Sequence, residues 1–249
     1  MSGHSKWASI KHKKGALDAK RGQLFTRIIR EITVAAKMGG SDPDGNPRLR
    51  LAIQQAKDGN MPKDTMERAI KKGAGELPGV SYEDVTYEGY GVGGVAVYVE
   101  ASTDNKNRTA AEIRHIFTKY AGNLGEVGCV GWMFKRKGQI LIPAEGLEED
   151  SLMEVVLDVG AEDMQRAGDM FVIQTAWHEM MAVREALEAK GIKVESAKLQ
   201  MIPDTSVKVD EKKGETLLKL INALEENDDV NSVSANYEMD DAVMEKLMG

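Results

Sequence analysis

The spacing of apolar residues changes from a helical to a strand period near residue 75, and this change constrains the fold more than any other feature. Leu24, Phe25, Ile28, Ile29, Ile32, Ala35 and Ala36 recur every three or four residues, which lays one apolar stripe along a helix. Arg27, Arg30 and Lys37 lie off that stripe. Gly39-Gly40 ends the helix, because glycine takes the left-handed terminal conformation without strain. Asn46 before Pro47 reads as a cap and a first helical position, opening a second helix that closes near Gly59. Pro62 opens a third, with Met66, Ala69 and Ile70 inward, ending at Gly73. Three short helices of this kind predict a small bundle.

Gly73 to Gly79 reads as a linker. After it, Val85-Thr86-Tyr87-Glu88 and Val95-Ala96-Val97-Tyr98-Val99 flank a glycine-rich turn and predict a hairpin. Asp104 or Asn105 caps a helix running to about Tyr120, and Val127 to Phe134 reads as a buried strand. Residues 139–142, 149–159, 162–166, 171–174, 177–190 and 193–201 then follow as strand, helix, strand, strand, helix, strand, the order of a ferredoxin-like unit. A helix at 212–226 and a strand at 230–237 remain to complete the unit begun at residue 80. The expected class is α+β and multidomain, with an N-terminal three-helix bundle (1–76) followed by two ferredoxin-like α/β domains. The second of these (135–205) is inserted into the first (80–134 plus 206–249).

Charge is divided as sharply as periodicity. The net charge of −7 argues against a nucleic-acid binder, but residues 1–75 carry 16 Lys and Arg against 7 Asp and Glu. That end is therefore +9 and the remainder −16. A basic end attracts polyanions while an acidic body resists non-specific adhesion. The first residues lack the apolar run of a signal peptide, and no stretch of 18 or so apolar residues occurs, so neither a secreted nor a membrane protein is expected. One cysteine, Cys129, fits a reducing compartment, and a cytoplasmic location is expected.

The residue types that carry catalysis or metal binding do not assemble into a recognisable pattern. Gly89-Tyr90-Gly91-Val92-Gly93-Gly94 is followed by a strand, whereas a dinucleotide-binding glycine loop must open a helix, so a hairpin turn is the better reading. His4 and His12 have no cysteine pair to complete a zinc site, and His115 and His178 fall in amphipathic helices. Cys129 lies in a glycine-rich apolar segment and reads as a buried structural thiol. Glu225-Glu226 with Asp228-Asp229, and Asp240-Asp241, read as solvated charge at helix ends. No catalytic residue, metal, cofactor or small-molecule substrate is expected.

The basic N-terminus is the strongest functional feature. Lys6, Lys11, Lys13, Lys14, Lys20, Arg21, Arg27 and Arg30 oppose a single acid, Asp18, within thirty residues. Phosphate contacts by such cations release counterions and supply affinity. Trp7 offers a ring on which an unpaired base can stack, and His12 sits within the cationic run. A solvated tail is the alternative reading. Lys71-Lys72 forms a second basic cluster, and Lys106 and Arg108 lie in a polar loop that reads equally as a helix cap with exposed flanks. No helix carries Arg, Asn and Gln on one face as a major-groove reader would. Gln54 and Gln55 come nearest, and a basic arm with one aromatic suits RNA better than duplex DNA.

Several motifs in this order resemble the YebC family. They are Gly3-His4-Ser5-Lys6-Trp7, Ile10-Lys11-His12-Lys13-Lys14, Asp18-Ala19-Lys20-Arg21-Gly22, Asn60-Met61-Pro62-Lys63, Arg68-Ala69-Ile70-Lys71-Lys72-Gly73, Tyr87-Glu88-Gly89-Tyr90-Gly91 and Thr103-Asp104-Asn105-Lys106-Asn107-Arg108-Thr109. The likeness runs along essentially the whole chain. The chain departs from the family pattern at Val92, where proline is usual, at Ala121, where glycine is usual, and at Cys129, where serine is usual. The last departure argues against a special role for Cys129. The resemblance implies a helical domain with two α/β domains and a non-enzymatic role in gene expression. Bacterial members are described as DNA-binding transcriptional regulators, while mitochondrial relatives activate translation and bacterial ones are linked to relief of ribosome stalling. The expected partner is nucleic acid, as ribosomal RNA or DNA, together with the ribosome and tRNA, and translation is the favoured mechanism.

Overall fold

A computed structural model of the protein describes residues 17–248. The chain is α+β, with helices first and two four-stranded antiparallel sheets after them. It divides into two compact units, Phe134–Asp204 and a larger one formed by residues 17–133 with 205–248.

The larger unit begins with α1 (Leu17–Gly39), α2 (Pro47–Asp58) and α3 (Lys63–Gly73). Ile28, Ile32, Ala35, Ala36, Leu49, Ala52, Ala56, Met61, Met66 and Ala69 form their common core, so the apolar stripe read from sequence is the packed face. Leu24, at its upper end, remains 45% exposed. Asn46 caps α2 as expected, its side chain accepting the Leu49 N–H at 3.1 Å and donating to the carbonyls of Ala35 and Gly40. Gly73 is required by close approach, since a Cβ there would strike the Thr33 carbonyl and the Ala36 methyl of α1.

The α/β part of this unit contains β1 (Glu83–Tyr90), β2 (Ala96–Thr103), α4 (Lys106–Lys119) and β3 (Asn123–Leu124). β1 and β2 form the expected hairpin, closed through a single 3-10 turn at Val92–Gly94 in which Gly93 and Gly94 both have positive φ. The strands of the smaller unit follow, and the chain returns with the remaining elements of the larger one. These are β8 (Val207–Lys208), α7 (Glu211–Glu226), β9 (Val230–Ala235), β10 (Tyr237–Glu238) and α8 (Asp241–Met248). β9 pairs with β2, and the sheet runs β3-β1-β2-β9 with the hairpin at its centre. Ile113 and Phe117 of α4 and Leu217, Leu220, Ile221 and Leu224 of α7 are fully buried, as are Val97 and Val99 of β2.

The smaller unit comprises β4 (Phe134–Pro143), α5 (Glu149–Asp158), β5 (Asp163–Ala167), β6 (Met170–Ala176), α6 (Met180–Ala189) and β7 (Ser196–Pro203). Its strand order, β5-β6-β4-β7, is that of a ferredoxin-like sheet. Gly138 lets α6 lie close, because a Cβ there would meet Met180 and Thr175 side-chain atoms.

Three local readings are corrected. Val127 to Phe134 is not a buried strand. It is a loop with a 3-10 turn at Gly131–Met133, and Val127 and Trp132 are 80% and 73% exposed. Three of its backbone amides are taken by a carboxylate instead of a strand neighbour. Cys129 accordingly is half-buried, with burial and then the Glu88 charge raising its pKa above the ordinary thiol value. The helix expected from Trp177 begins only at Met180. Trp177 is 55% exposed, and its ring meets that of His178 edge-on at 5.3 Å in the preceding turn.

Candidate nucleic-acid interface

The basic residues singled out from sequence fall into two groups once folded. Lys6, Trp7, Lys11, His12, Lys13 and Lys14 lie outside the described residues. Lys20 and Arg21 lend backbone to the first turns of α1, and their side chains are also outside what is described.

Arg27 and Arg30 do not face solvent. They project from α1 onto the turn between α7 and β9, where helical carbonyls lack intrahelical partners. Arg27 donates to the carbonyl of Glu225, and more distantly to that of Asn227 at 3.4 Å. Burial lowers its pKa, and the charges of Glu225 and Asp228 only partly oppose this. Arg30 donates to the Asp228 carbonyl at 2.6 Å and to the Asp229 carboxylate at 2.7 Å, with its guanidinium 5.2 Å from the Tyr82 ring.

Asp229 is the centre of this arrangement. Its side chain is 4% exposed and accepts from Arg30, Arg108 (2.7 Å), Thr109 (2.6 Å) and Thr103 (3.1 Å). Burial alone would raise its pKa. Hydrogen bonds from Thr109 and Arg108, with the charges of Arg30 and Arg108, outweigh that and hold it below the usual carboxylate range. The bond to Asp229 likewise raises the Arg108 pKa above its ordinary value. The acid read as solvated helix-end charge is therefore a buried ionic hub, and the helical period could not reveal it because every partner comes from another element. Asn105 caps α4 by accepting the Arg108 N–H at 3.1 Å, so the cap reading of the polar loop holds. Lys106 pairs with Glu83 at 2.5 Å.

A second bridge runs beside it. Arg48 of α2 binds both oxygens of Glu31 at 2.6 and 2.8 Å and reaches Asp84 of β1 at 2.6 Å. Its pKa is raised, chiefly by the Glu31 hydrogen bonds.

The remaining cations of the bundle point outward. Lys71 and Lys72 are exposed on the last turn of α3, where they also oppose the negative end of the helix dipole. Arg68 lies on the same face, three and four residues before them. On α2, Arg50 and Lys57 are exposed seven residues apart, with Gln54 between them. None of these five is paired with a carboxylate among the described residues. Residues 47–73 carry seven Lys and Arg against three Asp and Glu. Arg50, Lys57 and Arg68 were not singled out from sequence, although their spacing on the outer helix faces was there to read. Gln54 donates to Asp58 at 2.9 Å, which occupies its amide locally.

The amides of Gly128, Val130 and Gly131 converge on another buried carboxylate. Glu88, 4% exposed, accepts the N–H of Gly128 (2.8 Å), Val130 (2.8 Å) and Gly131 (2.6 Å). Tyr90 and Trp132 both donate to the Cys129 carbonyl at 3.2 Å, fixing the loop from outside. Among the described residues no group of three or more His, Cys, Asp or Glu is placed to hold a metal ion, and no helix is long and apolar enough to cross a membrane.

The family model for the TACO1/YebC protein N-terminal domain matches residues 5–76, and that for the TACO1/YebC second and third domain matches residues 82–237. The chain belongs to the TACO1/YebC family. A relative from Desulfosudis oleivorans, named a probable transcriptional regulatory protein, is 56% identical over 98% of this chain and all of its own length. One from Geobacter sulfurreducens with the same description is 56% identical over the whole of both chains. The crystal structure of a conserved hypothetical protein from Aquifex aeolicus superposes with a TM-score of 0.88 at 52% identity, covering 94% of this chain and 97% of that one. The TACO1/YebC matches meet at the linker that separates the helical from the strand period.

Proposed function

We propose that this TACO1/YebC protein is a non-enzymatic, nucleic-acid-binding regulator of gene expression that acts in the cytoplasm on the ribosome. Residues 1–76 dock on ribosomal RNA, and the α/β domains (80–134 with 206–249, and 135–205) reach towards a functional centre or a bound tRNA to relieve stalled translation. The observation that carries the reading is the division of labour among the cations. Arg27, Arg30, Arg48 and Arg108 are held by carboxylates and carbonyls, while Arg50, Lys57, Arg68, Lys71 and Lys72 remain exposed on the outer faces of α2 and α3. Those faces, with the N-terminal Lys6, Lys11, Lys13, Lys14, Lys20 and Arg21, suit binding to a phosphate backbone. They offer little for reading base edges, since Gln54 is already bonded to Asp58.

DNA-binding transcriptional regulation is the second reading, favoured by the description that the relatives carry. Co-sedimentation with ribosomes across a salt series, beside binding to random and promoter duplex DNA, separates the two. Ribosome retention at near-physiological salt with fading duplex binding is the expected outcome. Replacing Arg68, Lys71 and Lys72 by Glu, or Lys11, Lys13 and Lys14 by Glu, should each weaken retention. The logarithmic salt slope should fall by about 0.7 for each phosphate that the variant no longer neutralises. Promoter binding some 10³-fold tighter than random duplex, with no ribosome retention, refutes the translation reading.

A further inference from the structure

A network of charged bonds crosses the junction between the helical bundle and the α/β part of the larger unit. Ile28, Ile32, Leu49, Ala52, Met66 and Ala69 form a core within the bundle, and Val34 of α1 is buried outside that core. Across the junction run Arg27 and Arg30 to the carbonyls of residues 225–228, Arg30 to Asp229 and Arg48 to Asp84 of β1, while Lys37 donates to the Ser81 hydroxyl of the linker at 2.7 Å. These bonds continue into the sheet. Asp84 accepts from Ser102 at 2.8 Å, Ser102 accepts from Asn231 at 2.7 Å, and the Ser102 amide donates to the Asp229 carbonyl at 2.9 Å.

The joint is also incompletely satisfied. The Nε atoms of Arg27 and Arg30 are buried without an acceptor, which is costly for a charged donor. Several of the bonds that are made end on neutral carbonyls, poorer acceptors for guanidinium than an anionic oxygen. A joint that leans on under-satisfied arginines weakens when an anion competes for those arginines, and holds when none does.

We propose that this joint is an electrostatic latch, closed by Arg30–Asp229 and Arg48–Asp84, which opens when a polyanion takes the arginines and lets the bundle move as a body about the linker at residues 74–81. The proposal does not depend on ribosomal RNA being the partner, since any polyphosphate chain supplies the competing oxygens.

The test places spin labels on the full chain at Asp64→Cys in α3 and Lys119→Cys in α4, both exposed, in a Cys129→Ser background. Pulsed dipolar spectroscopy then reads the distance between the bundle and the α/β part. At low salt a single short distance is expected. A longer population should appear with inorganic polyphosphate, with 0.5 M NaCl, and without any addition in Arg30→Gln. Asp84→Asn, which alters a half-exposed surface group, should lower the polyphosphate concentration for half-opening at least three-fold even if Arg30→Gln folds poorly. A distance unchanged by polyphosphate, or polyphosphate half-opening unchanged in Asp84→Asn, overturns the latch. Polyphosphate that opens the joint only at the ionic strength at which NaCl also opens it overturns the polyanion trigger.

Discussion

Replacing Glu88 by Gln tests whether a buried carboxylate, and not strand pairing, shapes the loop at residues 125–133. The side chains are nearly isosteric, so packing is preserved and hydrogen bonding changes. In the wild type Oε2 accepts from Val130 and Gly131 and Oε1 from Gly128, at 2.6–2.8 Å. Hydrogen bonds to a charged group contribute about 1.5–3 kcal/mol each, against about 1 kcal/mol for neutral ones. The amide oxygen of Gln can keep the pair on one side at neutral strength, but its NH2 then faces the third N–H, donor against donor. Two weakened bonds and one broken bond sum to about 4 kcal/mol. Gly128 is exposed enough to turn towards water, which brings the expectation down to about 2–4 kcal/mol of local stability. Native-state hydrogen exchange at the Val130 amide is the assay, because it reads local opening without requiring the multidomain chain to unfold in two states. Exchange should accelerate by about 30- to 1,000-fold, at a tenfold per 1.36 kcal/mol. Val97 and Val99 in the centre of β2 should change far less. Acceleration below about three-fold at Val130, or an equal change in β2, refutes the reasoning.

Other consequences follow from single residues. Ala121 has φ of 56° in the turn after α4, where the Gly122 N–H bonds to the Phe117 carbonyl and the Ala121 N–H to that of Thr118. The family resemblance puts glycine there, and Ala121→Gly should raise stability by about 0.5–1 kcal/mol in urea denaturation, relief of left-handed strain exceeding the entropy cost of glycine. Gly73→Ala should have the opposite sign. Alanine normally favours a helix, but here its Cβ must displace Thr33 and Ala36, so a destabilisation of about 1–3 kcal/mol is expected in the thermal unfolding of the bundle. Asp229 has a depressed pKa in the fold, so its stabilisation is complete above the ordinary aspartate value near 4 and disappears as pH falls through its lower folded value. Urea midpoints should therefore fall between pH 5 and pH 2 more steeply in the wild type than in Asp229→Asn, and parallel pH profiles contradict the hub.

What the sequence determined by itself was everything set by neighbours within a turn or a strand. The Asn46 and Asn105 caps, the glycine at the end of α1, the β1–β2 hairpin and the ferredoxin-like order of residues 134–203 rest on neighbours a few residues apart, so periodicity and capping chemistry reveal them. The charge division between residues 1–75 and the remainder was likewise visible from composition. Tertiary structure alone decided which cations are available. Arg27 and Arg30 look from sequence like part of an exposed basic arm, yet their partners lie about 200 residues away on the α7–β9 turn. Asp229 looks solvated until three elements close over it. Val127 to Phe134 reads as a buried strand, but Glu88, about 40 residues earlier, captures the amides of Gly128, Val130 and Gly131. In each case the burial of a charge is decided by partners distant in sequence, because a buried carboxylate or guanidinium is stable only where several elements bring their polar groups to it.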